Sequence, residues 1–143
     1  MLKKLNLGCG DRKLHGYINI DGRDDVNPDV VGSITNIEET DVDVIYACHV
    51  LEHFPLKAFS FQPVTYKDVL KNWHASLKEG GILRLAVPDI EAVCKYYTET
   101  NKLDGLYAFF YGGQKYDFDF HYHCWDFETL SRDLKEIGFK DVS

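Results

Sequence analysis

The chain has no apolar run approaching the length of a membrane span, and its start, MLKKLNLG, lacks the apolar core of a secretory signal. A cytoplasmic protein with no membrane partner is the expectation. Its four cysteines, Cys9, Cys48, Cys94 and Cys124, form no CxxC pair, which argues against a zinc ribbon or a disulfide framework and for free thiols in a reducing compartment. Positive charge is in short supply: 16 Lys and Arg against 23 Asp and Glu give a net charge of -7, which repels a phosphate backbone. The basic residues are scattered and form no stripe, so nucleic acid is not expected as the main partner. There is no internal repeat, no low-complexity tract and no linker composition. Residues 1–143 therefore read as one domain, large enough to bury a core without staples.

Short runs rich in Val, Ile and Leu alternate with helical patterns, the signature of an α/β fold with a mainly parallel sheet. The runs predict strands near 3–7, 17–21, 29–32, 42–47 and 82–87, with a last short one at 139–142. A helix is expected over 65–78: Thr65 and Asp68 match a capping box, and Tyr66, Val69, Leu70, Trp73 and Leu77 recur on one face before Gly80-Gly81 stops it. A second should begin at Asp89 and turn Ile90, Val93, Cys94 and Tyr97 inward. A third should begin at Asp126, carry Phe127, Leu130, Leu134 and Ile137 on one face, and end at Gly138. Residues 55–63, bounded by prolines, read as an irregular loop. Residues 101–125 crowd aromatic rings around Gly112-Gly113, as a lid, a substrate-binding wall or core packing under a long loop.

In an open parallel sheet, ligands sit beyond the carboxyl ends of the strands. Three features fall there: Gly8-Cys9-Gly10 after the first strand, Asp21 after the second, and ACHVLEHF from the fourth. Glycines let the backbone approach a ligand, and a carboxylate at the neighbouring strand end can accept both hydroxyls of a ribose. Together they describe an adenosine-containing ligand. A pyrophosphate needs a helix N-terminus directly after the glycines, yet only DRKLHG lies between Gly10 and Tyr17, room for about one turn. A ligand with adenosine and no phosphate fits better than a nicotinamide dinucleotide.

The segments LNLGCG, YINID, VIYACHVLEHF and LKEGGILRLAVPD, and more loosely WDFETL with LKEIGF, resemble the class I S-adenosylmethionine-dependent methyltransferases. The similarity is to the branch acting on small molecules, lipids and sugars, and within it to stand-alone methyltransferases often associated with glycan biosynthesis. The resemblance implies a Rossmann-like, doubly wound sheet of order 3-2-1-4-5 with a C-terminal edge strand, whose final hairpin is incomplete in this chain. It implies S-adenosylmethionine as cofactor, S-adenosylhomocysteine as product, and a cofactor site made of Leu7, Gly8, Cys9, Gly10, Asp21, Gly22, Ser33, Ile34, Cys48 and His49. Gly8 and Gly10 would lie against the methionine part and Asp21 would hold the ribose. Ser33 stands where the family often has an acid for the adenine amino group, Asn6 replaces an acid frequent in the first motif, and that motif's third glycine is missing.

Methyl transfer is an in-line displacement at a sulfonium, so the protein mainly aligns acceptor and methyl and excludes water. An oxygen or nitrogen acceptor must also lose a proton, and His53 is the candidate base, unless it serves only to fix its loop. His49 could line the cleft or be buried and satisfied, and Glu52 could orient the loop or face solvent. Asp89 and Tyr111 join His53 as candidate acceptor contacts, although Asp89 also suits a helix N-cap. HYHCW matches no usual zinc spacing, because in an extended segment His121 and His123 share a face while Cys124 points away; no metal is expected. The expected function is methyl transfer to a small molecule or a sugar or glycan precursor. The alternative is a non-catalytic module of the same fold acting as a partner subunit, and a homo-oligomer through the C-terminal sheet edge fits either.

Overall fold

Side-chain alternation along the strands decides which face of the sheet becomes core. In the computed structural model, which describes residues 2–143, Leu5 and Leu7 point to the same side as Ile45 and Ala47, and all four are buried. The strands are β1 (Lys4–Leu7), β2 (Ile18–Asp21), β3 (Val30–Val31), β4 (Val42–Cys48) and β5 (Leu77–Ala86). They pair parallel in the order β3-β2-β1-β4-β5, so the chain reverses its direction of winding at β1 and β4. The register aligns Leu5 with Ile18 and Ile45, and Leu7 with Ile20 and Ala47, giving one continuous apolar face.

Helices α1 (Tyr66–Ser76) and α4 (Phe127–Ile137) pack on each other, and the buried residues of α1, Tyr66, Val69, Leu70 and Trp73, belong to the same core as that face. Both helices start at complete capping boxes, Thr65 with Asp68 and Asp126 with Thr129. A buried carboxylate, Asp133 of α4, accepts hydrogen bonds from the Tyr66 hydroxyl at 2.9 Å and from the Trp125 indole at 3.2 Å, which satisfies two polar tips inside the core. Burial, helped by the bond to Asp133, pushes the Tyr66 phenol far above its ordinary pKa. No helix among the described residues is long and apolar enough to cross a membrane.

The β1–β2 crossover holds no helix, and a polar network takes its place. Asn6 donates to the carbonyl of Arg12 at 2.9 Å and to Asn19 Oδ1 at 2.8 Å, and that same oxygen accepts the Leu14 amide at 2.8 Å. Asp29 then accepts both the backbone and the side-chain N–H of Asn19, at 2.8 and 2.7 Å. Asn6 thus holds a connection shorter than parallel strands usually need.

Several sequence expectations are corrected. The helix over 65–78 ends at Ser76, and Gly80-Gly81 belong to β5, which begins at Leu77 and not at 82. Val42 pairs with Leu77 while Val44 pairs with Ile82, so the intervening residues of β5 bulge. A Cβ on Gly81 would lie 2.9 Å from the carbonyl oxygens of Lys78 and Val42, and Gly80 sits at φ +72°; the glycines serve the bulge and do not stop the helix. Residues 139–142 form no strand. The Phe139 amide caps α4 through Leu134, and its ring packs edge-on against His74, 4.8 Å between centroids, which holds the segment on α4 and α1. On α2 (Ile90–Thr100) Val93 is buried, but Cys94 and Tyr97 are exposed, because no neighbouring element covers that face among the described residues. Phe127 is likewise exposed.

Trp73 is fully buried, and its indole N–H reaches the Ile34 carbonyl at 2.7 Å, fixing the loop after β3 to α1. Trp73→Phe is expected to lower unfolding free energy in urea by about 1–3 kcal/mol, the cost of an unpaired acceptor and lost volume. The two Asn19 bonds hold the Asp29 carboxyl below its usual pKa. Its stabilising contribution is therefore complete above the unfolded-state pKa and disappears as pH falls through the lower folded-state value. Between about pH 5 and pH 2, urea midpoints should fall more steeply for the wild type than for Asp29→Asn.

Candidate active site

A cleft of about 390 Å³ opens at the carboxyl ends of β1, β2 and β4. Its floor is the glycine bend. Gly8 has φ +61°, and a Cβ there would lie 2.6 Å from Val50 Cγ2, so both conformation and space demand glycine. Gly10, at φ +48°, has no described atom within 4 Å of where a Cβ would sit, which leaves its surroundings open to a ligand. Asp21, almost buried at the end of β2, accepts the Gly10 amide on Oδ2 at 2.8 Å and the Arg23 amide on Oδ1 at 3.0 Å. Each oxygen keeps a lone pair beyond these bonds, enough to accept ribose hydroxyls.

The loop after β3 brings Gly32, Ser33, Ile34 and Thr35 to the opposite wall. Ser33 Oγ accepts the amides of Thr35 and Asn36 at 3.2 and 3.1 Å, so this hydroxyl also builds its own turn. At the end of β4, His49 adopts φ +56°, an uncommon conformation for a side-chain-bearing residue, and lines the cleft. Its Nδ1 lies 3.0 Å from Oε1 of Glu52, which is fully buried in the 3₁₀ turn Leu51–His53.

His53 also lines the cleft, and its Nδ1 lies 3.0 Å from the Phe120 carbonyl oxygen. A carbonyl can only accept, so Nδ1 carries the hydrogen and Nε2 keeps a bare lone pair in the neutral ring. Burial is the main reason its pKa falls below the ordinary imidazole value, against the pull of Glu52 in the other direction.

Of the cofactor residues read from the sequence, Gly8, Gly10, Asp21, Gly22, Ser33, Ile34 and His49 line this cleft. Leu7 is core, and Cys9 is buried with its amide bonded to the Ile20 carbonyl at 3.2 Å; neither lines the cleft. Burial, helped by the Asp21 charge, pushes the Cys9 thiol pKa up. Cys48 lies outside the lining. Asp89 caps α2, accepting the Glu91 amide at 3.0 Å, and Tyr111 is exposed at the end of α3 (Tyr107–Tyr111); both stand apart from the cleft.

The sequence reading missed Arg23, Val50, Phe54, Gln62, Val64, Tyr116 and Phe118 in the walls. The aromatic segment 101–125 is uniformly neither core nor cleft: Trp125 is buried in the core. Most of its rings are exposed, but Tyr116 reaches the rim beneath the Arg23 guanidinium, 4.3 Å from carbon to ring centroid, and Phe118 stands beside it. Tyr116 and Phe118 lie in the segment expected as a lid or wall, and Arg23, two residues beyond Asp21, was not anticipated.

The cleft does not suit a ligand that carries a pyrophosphate. The cation in its walls, Arg23, is shared with Asp21 at 4.0 Å and Asp25 at 3.7 Å, and no helix follows Gly10 to receive a pyrophosphate. An acid at the end of β2, an open glycine backbone and the apolar Ile34 and Val64 place a carboxylate acceptor, bare backbone and an apolar wall in one cleft.

No family model matches the chain, and no curated protein does. Solved structures do. The complex of the Haloferax volcanii Trm112 methyltransferase activator with a methyltransferase gives a TM-score of 0.61 at 15% identity, covering 95% of this chain and 60% of that one. A TehB-like SAM-dependent methyltransferase from Corynebacterium glutamicum ATCC 13032 Kitasato gives 0.52 at 17% identity, covering 96% of this chain and 65% of that one. The chain has the class I methyltransferase fold and spans less than two thirds of the length of these neighbours.

Gly8→Ala places a methyl group against Val50 in a left-handed backbone. We expect about 1–3 kcal/mol of lost stability in urea unfolding, and weaker binding of S-adenosylhomocysteine by calorimetry.

Proposed function

We propose that this chain transfers a methyl group from S-adenosylmethionine to an oxygen or nitrogen of a small molecule or a sugar or glycan precursor. The observation that carries the reading is the Asp21 carboxylate bonded to the Gly10 amide at the rim of an open cleft, a ribose acceptor and a glycine bend at one place. The cofactor supplies an electrophilic methyl on a sulfonium. Asp21 holds the ribose, Ser33 and Ile34 face the adenine, and Gly8 and Gly10 bring backbone against the methionine part. Tyr116 and Phe118 close the rim and offer flat apolar faces on which a sugar ring can stack. In transfer, the sulfur–methyl bond breaks as the acceptor–methyl bond forms, and the acceptor's proton passes to His53 Nε2. Four free thiols fit a cytoplasmic setting.

A second reading keeps the fold and the cofactor without turnover, as a subunit of a larger assembly. One structural neighbour was solved with an activator protein, and β5 lies at an edge of the sheet, open to pairing with a partner or a second copy.

Calorimetry should show binding of S-adenosylhomocysteine and none of NAD. Asp21→Asn should weaken it about 10- to 100-fold, the loss of charge-assisted hydrogen bonds. Over a panel of sugar and small-molecule acceptors, His53→Ala should slow methyl transfer about 10²- to 10⁴-fold while changing S-adenosylhomocysteine affinity less than Asp21→Asn does. Absence of S-adenosylhomocysteine binding overturns the proposal. Binding with no turnover on any acceptor favours the subunit.

A further inference from the structure

Beside the cleft lies a cluster of one buried carboxylate and two imidazoles with an unmatched acceptor. Glu52 is fully buried; its Oε1 is matched by His49, and its Oε2 makes no hydrogen bond with any described residue. A buried carboxylate oxygen without a partner is costly. Two imidazoles stand against it. His53 Nδ1 is held by the Phe120 carbonyl at 3.0 Å, and His121 Nδ1 by the Phe109 carbonyl at 2.8 Å. Both Nδ1 atoms therefore bear hydrogen, and both Nε2 atoms are bare in the neutral rings. His121 Nε2, on a side chain 10% exposed, points at Glu52 Oε1 from 4.0 Å, one acceptor facing another. The two rings meet edge to face, 4.8 Å between centroids.

One ligand atom from each of Glu52, His53 and His121 lies within 4.8 Å of the other two. An imidazole whose Nδ1–H is tied to a backbone carbonyl, presenting Nε2, has the orientation that metal-ligating histidines take. The backbone adds rigidity: the Tyr122 amide donates to the Glu52 carbonyl at 2.8 Å and the His121 amide to the Tyr111 carbonyl at 3.2 Å. The other members of HYHCW turn elsewhere. His123 stacks on Tyr66 at 5.0 Å and Cys124 is exposed, so His121 is the member of the motif that joins the cluster.

We propose that Glu52, His53 and His121 bind a divalent first-row transition ion, with zinc as the ion to test. Two neutral imidazoles and one carboxylate suit such an ion and leave coordination positions open. His53 also lines the cleft, so an ion bound there would lie beside it. The ion's use in methyl transfer rests on the function proposed above; its binding does not. With the ion present, the His53 lone pair would be a ligand, and the Lewis acid would make an acceptor hydroxyl acidic enough to release its proton to solvent water, in place of transfer to His53.

The test takes the untagged full chain, stripped by chelator, and titrates it with zinc alone by calorimetry and with cobalt by visible absorption. Expected are one equivalent bound, cobalt d–d bands, and a zinc X-ray absorption shell of nitrogen and oxygen with imidazole scattering. His121→Ala and Glu52→Gln should each weaken zinc binding at least about 100-fold, while His123→Ala and Cys124→Ser leave it unchanged. Failure of the wild type to take up either ion, a sulfur shell, or uptake indifferent to His121→Ala overturns the proposal. The absorption shell is read on the wild type and so decides even if a variant fails to fold. A proton on His121 in place of the ion appears as no uptake. S-adenosylhomocysteine binding without zinc binding sinks the ion only; zinc binding without S-adenosylhomocysteine binding sinks the methyl-transfer reading only. His53→Ala removes base and ligand together, so His121→Ala separates them: a wild-type methyl-transfer rate in that variant removes the ion from catalysis.

Discussion

The hydrogen bond from the Gly10 amide to Asp21 Oδ2, 2.8 Å long, joins the bend after β1 to the end of β2, and the cleft depends on it. A bend of glycines is by itself conformationally free and would lose entropy on being held. The carboxylate holds it without blocking it, because each oxygen retains a lone pair for a ligand after its backbone N–H is accommodated. The geometry is thereby set before any ligand arrives, which reduces the cost of binding.

That bond in turn requires β1 and β2 to lie in register across a very short crossover. The Asn6–Asn19–Asp29 network supplies the register. Buried side-chain amides are satisfied by one another, by Arg12 and Leu14 and by the Asp29 carboxylate, so a polar patch occupies a sheet face that a crossover helix would otherwise cover. The opposite face carries Leu5, Leu7, Ile45 and Ala47 into the core with α1 and Trp73. Through its indole N–H, Trp73 holds the Ile34 loop, so the hydrophobic core and one cleft wall are mechanically the same object.

The strand ends, the helix starts and the glycine bend were readable from local chemistry, whereas the strand order came from the resemblance to class I methyltransferases. Apolar runs ending in Gly8 or Asp21, and the capping pairs Thr65–Asp68 and Asp126–Thr129, are signals within a few residues, and local signals mark strand ends and helix starts. Gly80-Gly81 were misread because glycine ends helices and permits bulges alike, and the choice depended on the facing strand: Val42 O lies where a Gly81 side chain would go. The run at 139–142 has strand composition, yet Phe139 found His74 to pack against and the segment stayed with the helices. Cys94 and Tyr97 matched a helical stripe, but periodicity says which residues share a face and nothing of what covers it.

The sequence by itself determined the parallel α/β fold, the glycine bend, the acid at the second strand end and the histidine after the fourth. Each follows from spacing along a few residues. Only the tertiary structure decided that Arg23 meets Tyr116, that Phe118 rather than Tyr111 stands at the cleft, and that His121 turns its bare nitrogen toward Glu52 beside His53. Those pairings join segments far apart in the chain. They depend on how a long aromatic segment folds back over the sheet, a path set by backbone hydrogen bonds such as Tyr122 to Glu52 that no local pattern encodes.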